Sequence, residues 1–191
     1  MNMSTGTFFV SGLMLAMAGP LMAREVTAFE LIRTGDPYVG IQSKDKVVQI
    51  RSEKSIATMT PDVWHVDYYD PSTAPKCVEV TFGAGQETDI SHPWHPFQKR
   101  YRESDIFDRS KLRVDSDAAL KTATSQPLLK HLTLKASQMT LDQSDIGPVW
   151  KIRLWAAKLN SPDKQVDIGV ITLSAADGSV VRNELHPERV D

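Results

Sequence analysis

The chain has a single cysteine, Cys77, in 191 residues. With no second thiol, a disulfide within the chain is excluded in any compartment. The residue reads as a small strand residue, and no local motif supplies the base that a nucleophilic thiol needs. Pairing between chains stays open if the thiol is exposed. An excess of either charge is also missing: 22 Lys and Arg stand against 24 Asp and Glu, a net charge of −2. That leaves no bulk basic surface for nucleic acid and no acidic excess of the kind that keeps chains disordered. GxSxG, HExxH, P-loop and dinucleotide fingerprints are absent as well. The chain therefore reads as non-enzymatic, with no cofactor. Acid–base pairs are available everywhere among 24 acidic residues, so their availability decides nothing.

Charge is absent altogether from the first 23 residues, MNMSTGTFFVSGLMLAMAGPLMA. Phe8 to Ala18 is apolar, Gly19-Pro20 breaks the run, and Ala23 offers a small residue before a cut. Residues 1–23 read as a secretory signal peptide, with Arg24 as the mature N-terminus and a periplasmic or secreted destination. The apolar run falls short of the roughly 20 residues that a membrane span needs. No membrane span is expected after cleavage, and no cysteine near the cut indicates a lipid anchor.

What is present is a pair of tryptophan-centred segments, PDVWHVDYY from Pro61 and GPVWKIRLW from Gly147. Both alternate at period 2, the pattern of a strand with one buried face. Trp64, Val66 and Tyr68 face inward in the first, and Trp150, Ile152 and Leu154 in the second. Around each lies a similar series. Thr27 and Glu30 form a capping box before a helix over about Ala28 to Thr34, followed by strands over Lys44–Glu53, Lys76–Phe82 and Gln86–Ile90. Asp115 or Ser116 caps a second helix. After it come strands over His131–Leu141 and Val166–Ala175, and an Asp177-Gly178 hairpin turn. The Trp spacing is 86 residues and the later His-Pro spacing is 94; a longer loop at Asn160–Lys164 would absorb the difference. The expected fold is α+β: two similar lobes, each a helix packed on a three- to four-stranded antiparallel sheet. The expected division is lobe one at 24–91, a linker at 92–114 and lobe two at 115–191.

His92, Trp94 and His95 fall in the linker. Two histidines this close could fill two corners of a metal site, but no third ligand stands at zinc spacing, so no metal is expected. Packing of Trp94 between the lobes is the stronger reading. The helices cover one face of each sheet, which leaves the outward face for a partner. Its side chains are His65, Asp67 and Tyr69 in lobe one, and Lys151, Arg153 and Trp155 in lobe two. An outward Trp flanked by cations is a binding anchor. The competing reading places Trp155 in a core between the lobes.

DAALKTATSQP, GPVWKIRLW and IGVITLSAADGSVV together resemble a PepSY domain, over about Asp115 to Leu185. The stretch from about Val26 to Ile90 resembles it more weakly, since Phe82-Gly83-Ala84-Gly85 replaces the Asp-Gly turn. The resemblance implies a tandem PepSY-like protein of an exported bacterial type, made of non-catalytic propeptide- or inhibitor-like modules that bind a protein or peptide. A structural envelope-associated protein with no soluble ligand is the alternative, and a hydrolase is disfavoured by the missing motifs.

Overall fold

The structure, a computed structural model, describes residues 26–92 and 101–191. The proposed signal peptide, Trp94 and His95 lie outside the described residues. Helix α1 (Ala28–Gly35) precedes β1 (Val47–Ser52), β2 (Val63–Tyr69), β3 (Cys77–Gly83) and β4 (Gln86–Ser91). Helix α2 (Ser116–Thr124) precedes β5 (Leu134–Ser144), β6 (Gly147–Lys158), β7 (Ser161–Ser174) and β8 (Val180–Leu185). All eight strands form one antiparallel sheet in the order β4-β3-β2-β1-β5-β6-β7-β8. The expectation of two lobes, each with its own sheet, is therefore corrected. β1 and β5, which would have been edges, pair with each other, and among the described residues the fold is sheet-rich with two short α-helices and a few 3-10 turns.

The seam explains why fusion is stable. Only Ile50↔Leu141 and Arg51↔Thr140 pair directly across it. Beyond them, serine hydroxyls continue the ladder. Ser52 Oγ accepts from the Met139 amide at 2.8 Å, and Ser55 Oγ accepts from the Ser137 amide at 2.9 Å. The Ser55 amide returns a bond to Ser137 O at 2.8 Å, so buried backbone groups are satisfied where the strands diverge. Register makes Ser52 and Leu141 counterparts, since they face Trp64 and Trp150 respectively. Ile50 and Met139 are counterparts in the same way, facing Val66 and Ile152. Arg51 and Thr140 thus sit at a local pseudo-two-fold axis.

One face of the sheet carries the main core. Trp64, Val66, Tyr68, Phe82, Trp150, Ile152, Leu154 and Leu173 all belong to it. α1 packs on β2, and α2 on β6 and β7. The helices meet at their N-termini. Asp115 Oδ1 accepts from its own neighbour Ser116 and also from the Phe29 amide at 3.0 Å, while Ser116 Oγ accepts from the Ala28 amide at 3.0 Å. The Ala28 and Phe29 amides, two of the orphan donors of α1, thus find acceptors at the start of α2. Phe29 stacks on Trp150 at 6.3 Å between ring centroids, so α1 reaches across the axis.

The longer loop expected at Asn160–Lys164 is also corrected. β6 and β7 extend into a two-residue hairpin, and residues 161–165 are strand. The extra length sits in a projecting ribbon, where polar Asp163, Lys164 and Gln165 are solvated. The ribbon is re-aimed by register shifts at Leu154/Trp155 and Ala157/Lys158. Opposite the first of these, Gly169 holds φ +105°, and a Cβ there would collide with the carbonyl oxygen of Glu184.

Candidate functional site

The face away from the helices differs between the two ends of the sheet. Over β1 to β3 it is closed. The stretch after residue 100 brings Tyr101 and Ile106 onto Val48, Tyr69 and Cys77, a second and smaller core. Phe107 then turns past the start of β1, its amide bonded to Val47 O at 2.9 Å, and enters the main core. Arg109 fastens this segment to Asp36 at the end of α1, with Nη2 3.1 Å from both carboxylate oxygens, and to Asp45 at 2.8 Å.

Beneath that cover lies a charged cluster. Tyr101 donates to Asp67 Oδ2 at 2.6 Å and lies 3.2 Å from Gln49 Oε1. Asp67 faces Glu79 across the β2–β3 ladder. Glu79 is ion-paired with Arg51, and His65 Nδ1 stands 3.2 Å from Glu79 Oε1. Desolvation raises the Asp67 carboxyl to about 6, against the lowering influence of the Tyr101 hydrogen bond and the Arg51 charge. Glu79 goes the other way, to about 2. Burial pushes it up, but the His65 hydrogen bond and the Arg51 charge outweigh that push. Two neighbouring carboxylates cannot both ionise cheaply, so the proton stays on the one without a cation. The Cys77 thiol is pushed up by burial and by the nearby Asp67 and Glu79 carboxylates, which keeps it unreactive.

This pair fixes a pH dependence. Asp67 contributes stability that is full below its ordinary value of 3.8 and is lost as pH rises toward about 6. Glu79 contributes stability that is present above 4.5 and is lost as pH falls toward about 2. The protein is expected to be most resistant to denaturant between about pH 4 and 5, and to lose roughly 1–3 kcal/mol by pH 7. Asp67→Asn keeps the acceptor for Tyr101 and a donor toward Glu79, so the variant should show a level midpoint from about pH 5 to 7. The same decline in the variant would assign the titration to another group.

Among the described residues, the same face is open over β5 to β8. Lys151 and Arg153 are exposed, and Trp155 is half-buried with Lys54 Nζ 4.5 Å from its ring centroid. Lys151 pairs with Asp142 at 3.0 Å and Arg153 with Asp167 at 2.6 Å. Such solvated pairs hold about 0–1 kcal/mol each, so a partner's carboxylates can replace them. Trp155 is not in a core between lobes, because the two halves of the sheet lie side by side and cannot cover each other's outer faces.

The six residues singled out from the sequence therefore separate. Lys151, Arg153 and Trp155 stand together on the open part. Asp67 and Tyr69 lie under the Tyr101 segment, with Asp67 only 1% exposed, and His65 beside them is part-buried against Glu79 and Thr81. Sequence reasoning missed the cover. Its signal was Tyr101, Ile106 and Phe107, the apolar residues in the otherwise polar stretch 98–111 of the connector. It missed Lys54 as well, which reaches Trp155 across the seam and carried no signal without the β1–β5 pairing. His92 Nδ1 lies 3.3 Å from the Cys77 carbonyl oxygen. Among the described residues, no group of three or more His, Cys, Asp or Glu is arranged to hold a metal ion, and no helix is long and apolar enough to cross a membrane. No family model, curated protein or solved structure matches the chain.

Proposed function

We propose that the protein is an exported, non-catalytic binding module, of the PepSY-like kind that the sequence resembles, and that it takes a protein or peptide partner on the outer face of β5 to β8. One observation carries the reading. Among the described residues, the outer face is covered at Val48, Asp67, Tyr69 and Cys77 and bare over β5 to β8, and the bare part presents Trp155 with Lys54, Lys151 and Arg153 around it. Trp and Arg are the residue types that most often carry interface energy, and the cations favour a partner bearing carboxylates. Against a hydrolase stands the burial of the carboxylate pair beside His65: Asp67 and Glu79 are 1% and 7% exposed and face each other across the β2–β3 ladder.

Trp155→Ala is expected to weaken the partner by roughly 2 kcal/mol or more and to leave the melting transition in place, because the side chain is held from one side only. Affinity capture from a periplasmic extract, with native and variant chains side by side, followed by titration of the retained species, measures it. A retained species that binds both chains equally would end the assignment of this face. Nothing retained by either chain would favour the structural envelope role.

A further inference from the structure

The strand at one end of the sheet, β8, is paired on a single side. Val180 to Glu184 are all exposed. Beyond β8 the chain turns back over β7 and β6, and Val190 enters the main core. The His186 amide bonds to Ile168 O on β7 at 2.6 Å. Alternation along the ladder then turns the backbone of Glu184 and Arg182 toward β7, and that of Leu185 and Asn183 outward. The Leu185 amide, on the outward side, donates to Asn183 Oδ1 at 3.1 Å. Arg182 and Glu184 share the outer face with Lys151 and Arg153, to which Thr172 and Val170 connect them. They pair with each other at 2.8 Å, with side chains 70% and 48% exposed. The opposite edge is different. β4 carries two acids, Glu87 and Asp89, and no base, so two copies of it repel. β8 carries one charge of each sign, placed symmetrically about Asn183.

We propose that β8 is an interface for a second copy of this chain, which adds its own β8 antiparallel about a two-fold axis at Asn183. Charge and hydrogen bonding select that register. Centred on Arg182 or Glu184, the pair would set identical charges directly opposite each other. Centred on Leu185, Asn183 would need an amide from Pro187, which has none. Centred on Val181, the axis would fall where the register shift leaves that residue without a partner on β7 and the edge bends. Centred on Asn183, the outward N–H and C=O groups of the two Asn183 residues exchange hydrogen bonds. Arg182 then stands opposite Glu184 of the second copy, and the symmetry makes this pair twice. Both fall at non-hydrogen-bonded positions, where facing side chains come closest. The bridge within each strand is solvated and holds little, so its two members can re-pair across the axis. Pairing at the edge lies in the plane of the sheet and leaves the outer face clear. It goes beyond the outer-face reading and does not depend on it.

Sedimentation equilibrium of the full exported chain over a dilution series tests it. A reversible monomer–dimer equilibrium is expected, dimeric at about 100 µM and monomeric on dilution, as befits a short ladder. Glu184→Arg and Arg182→Glu each set like charges opposite, and each should weaken the dimer by roughly tenfold or more. The double variant restores opposite signs and should regain the dimer. An equimolar mixture of the two single variants should form mixed dimers, in which every facing pair is complementary. All these changes fall on exposed residues and should leave the melting temperature of the monomer in place, so a lost dimer is not a lost fold. A monomer at every concentration would overturn the proposal, as would a dimer indifferent to the single changes. Failure of both the double variant and the mixture to recover the dimer would do the same. So would assemblies that keep growing with concentration, the mark of head-to-tail pairing between β8 and β4. Trp155→Ala is expected to dimerise as the native chain does, which separates this result from that of the outer face.

Discussion

Trp150→Ala should lower the free energy of unfolding by about 3–5 kcal/mol, the range for removing a large aromatic from a closed core. Trp150 is fully buried and central in β6, between Leu141 of β5 and Leu173 of β7. Its indole also donates to Val114 O at 2.8 Å, so truncation removes the partner of a carbonyl just before α2. On its helix side it carries Phe29, so the same change loosens α1. A small domain commonly holds 5–15 kcal/mol in all, so this one change would take a large share. Urea melts followed by circular dichroism measure it. A loss below roughly 1 kcal/mol would place the side chain outside any core.

Ile50→Ala should cost about 2–5 kcal/mol, and the way it does so matters more than the size. Ile50 is fully buried in β1, facing Val66 on one side and Leu141 across the seam on the other. If the sheet is continuous, the cavity weakens both ends of the molecule and the transition stays single, with circular dichroism and tryptophan emission coincident. If the two ends were separate units, the transition would split. Ile41, which is 91% exposed, provides the control: Ile41→Ala should change stability by less than about 0.5 kcal/mol.

Period-2 alternation was enough to assign the inward set of both Trp strands, because burial selects alternate residues and tolerates little slippage. The capping pair at Thr27 and Glu30 was legible for a similarly local reason, since both partners lie within one turn. Pairing between β1 and β5 was not legible. It depends on Ser52 and Ser55 meeting Met139 and Ser137, residues more than 80 positions away, and serine reads as a turn or cap residue when its partner is unknown. The hairpin at residues 159–160 was hidden by Asn160, Ser161 and Pro162, which mark loops in general but sit here in an exposed ribbon whose edges leave room for proline. At the candidate site, the direction of all six side chains followed from alternation. Which of them reach solvent did not follow, because that was set by where Tyr101 lands.

The continuous sheet is the claim on which the open and closed parts of the outer face and the seam energetics both rest. Cross-strand nuclear Overhauser effects on isotope-labelled protein test it without any substitution. A continuous sheet requires contacts linking Ile50 to Leu141 and Arg51 to Thr140, with slow amide exchange on both strands, because strands paired on both sides protect their amides. No contact between the two strands, with the outer amides of β1 and β5 exchanging as rapidly as those of the edge strands β4 and β8, would contradict it.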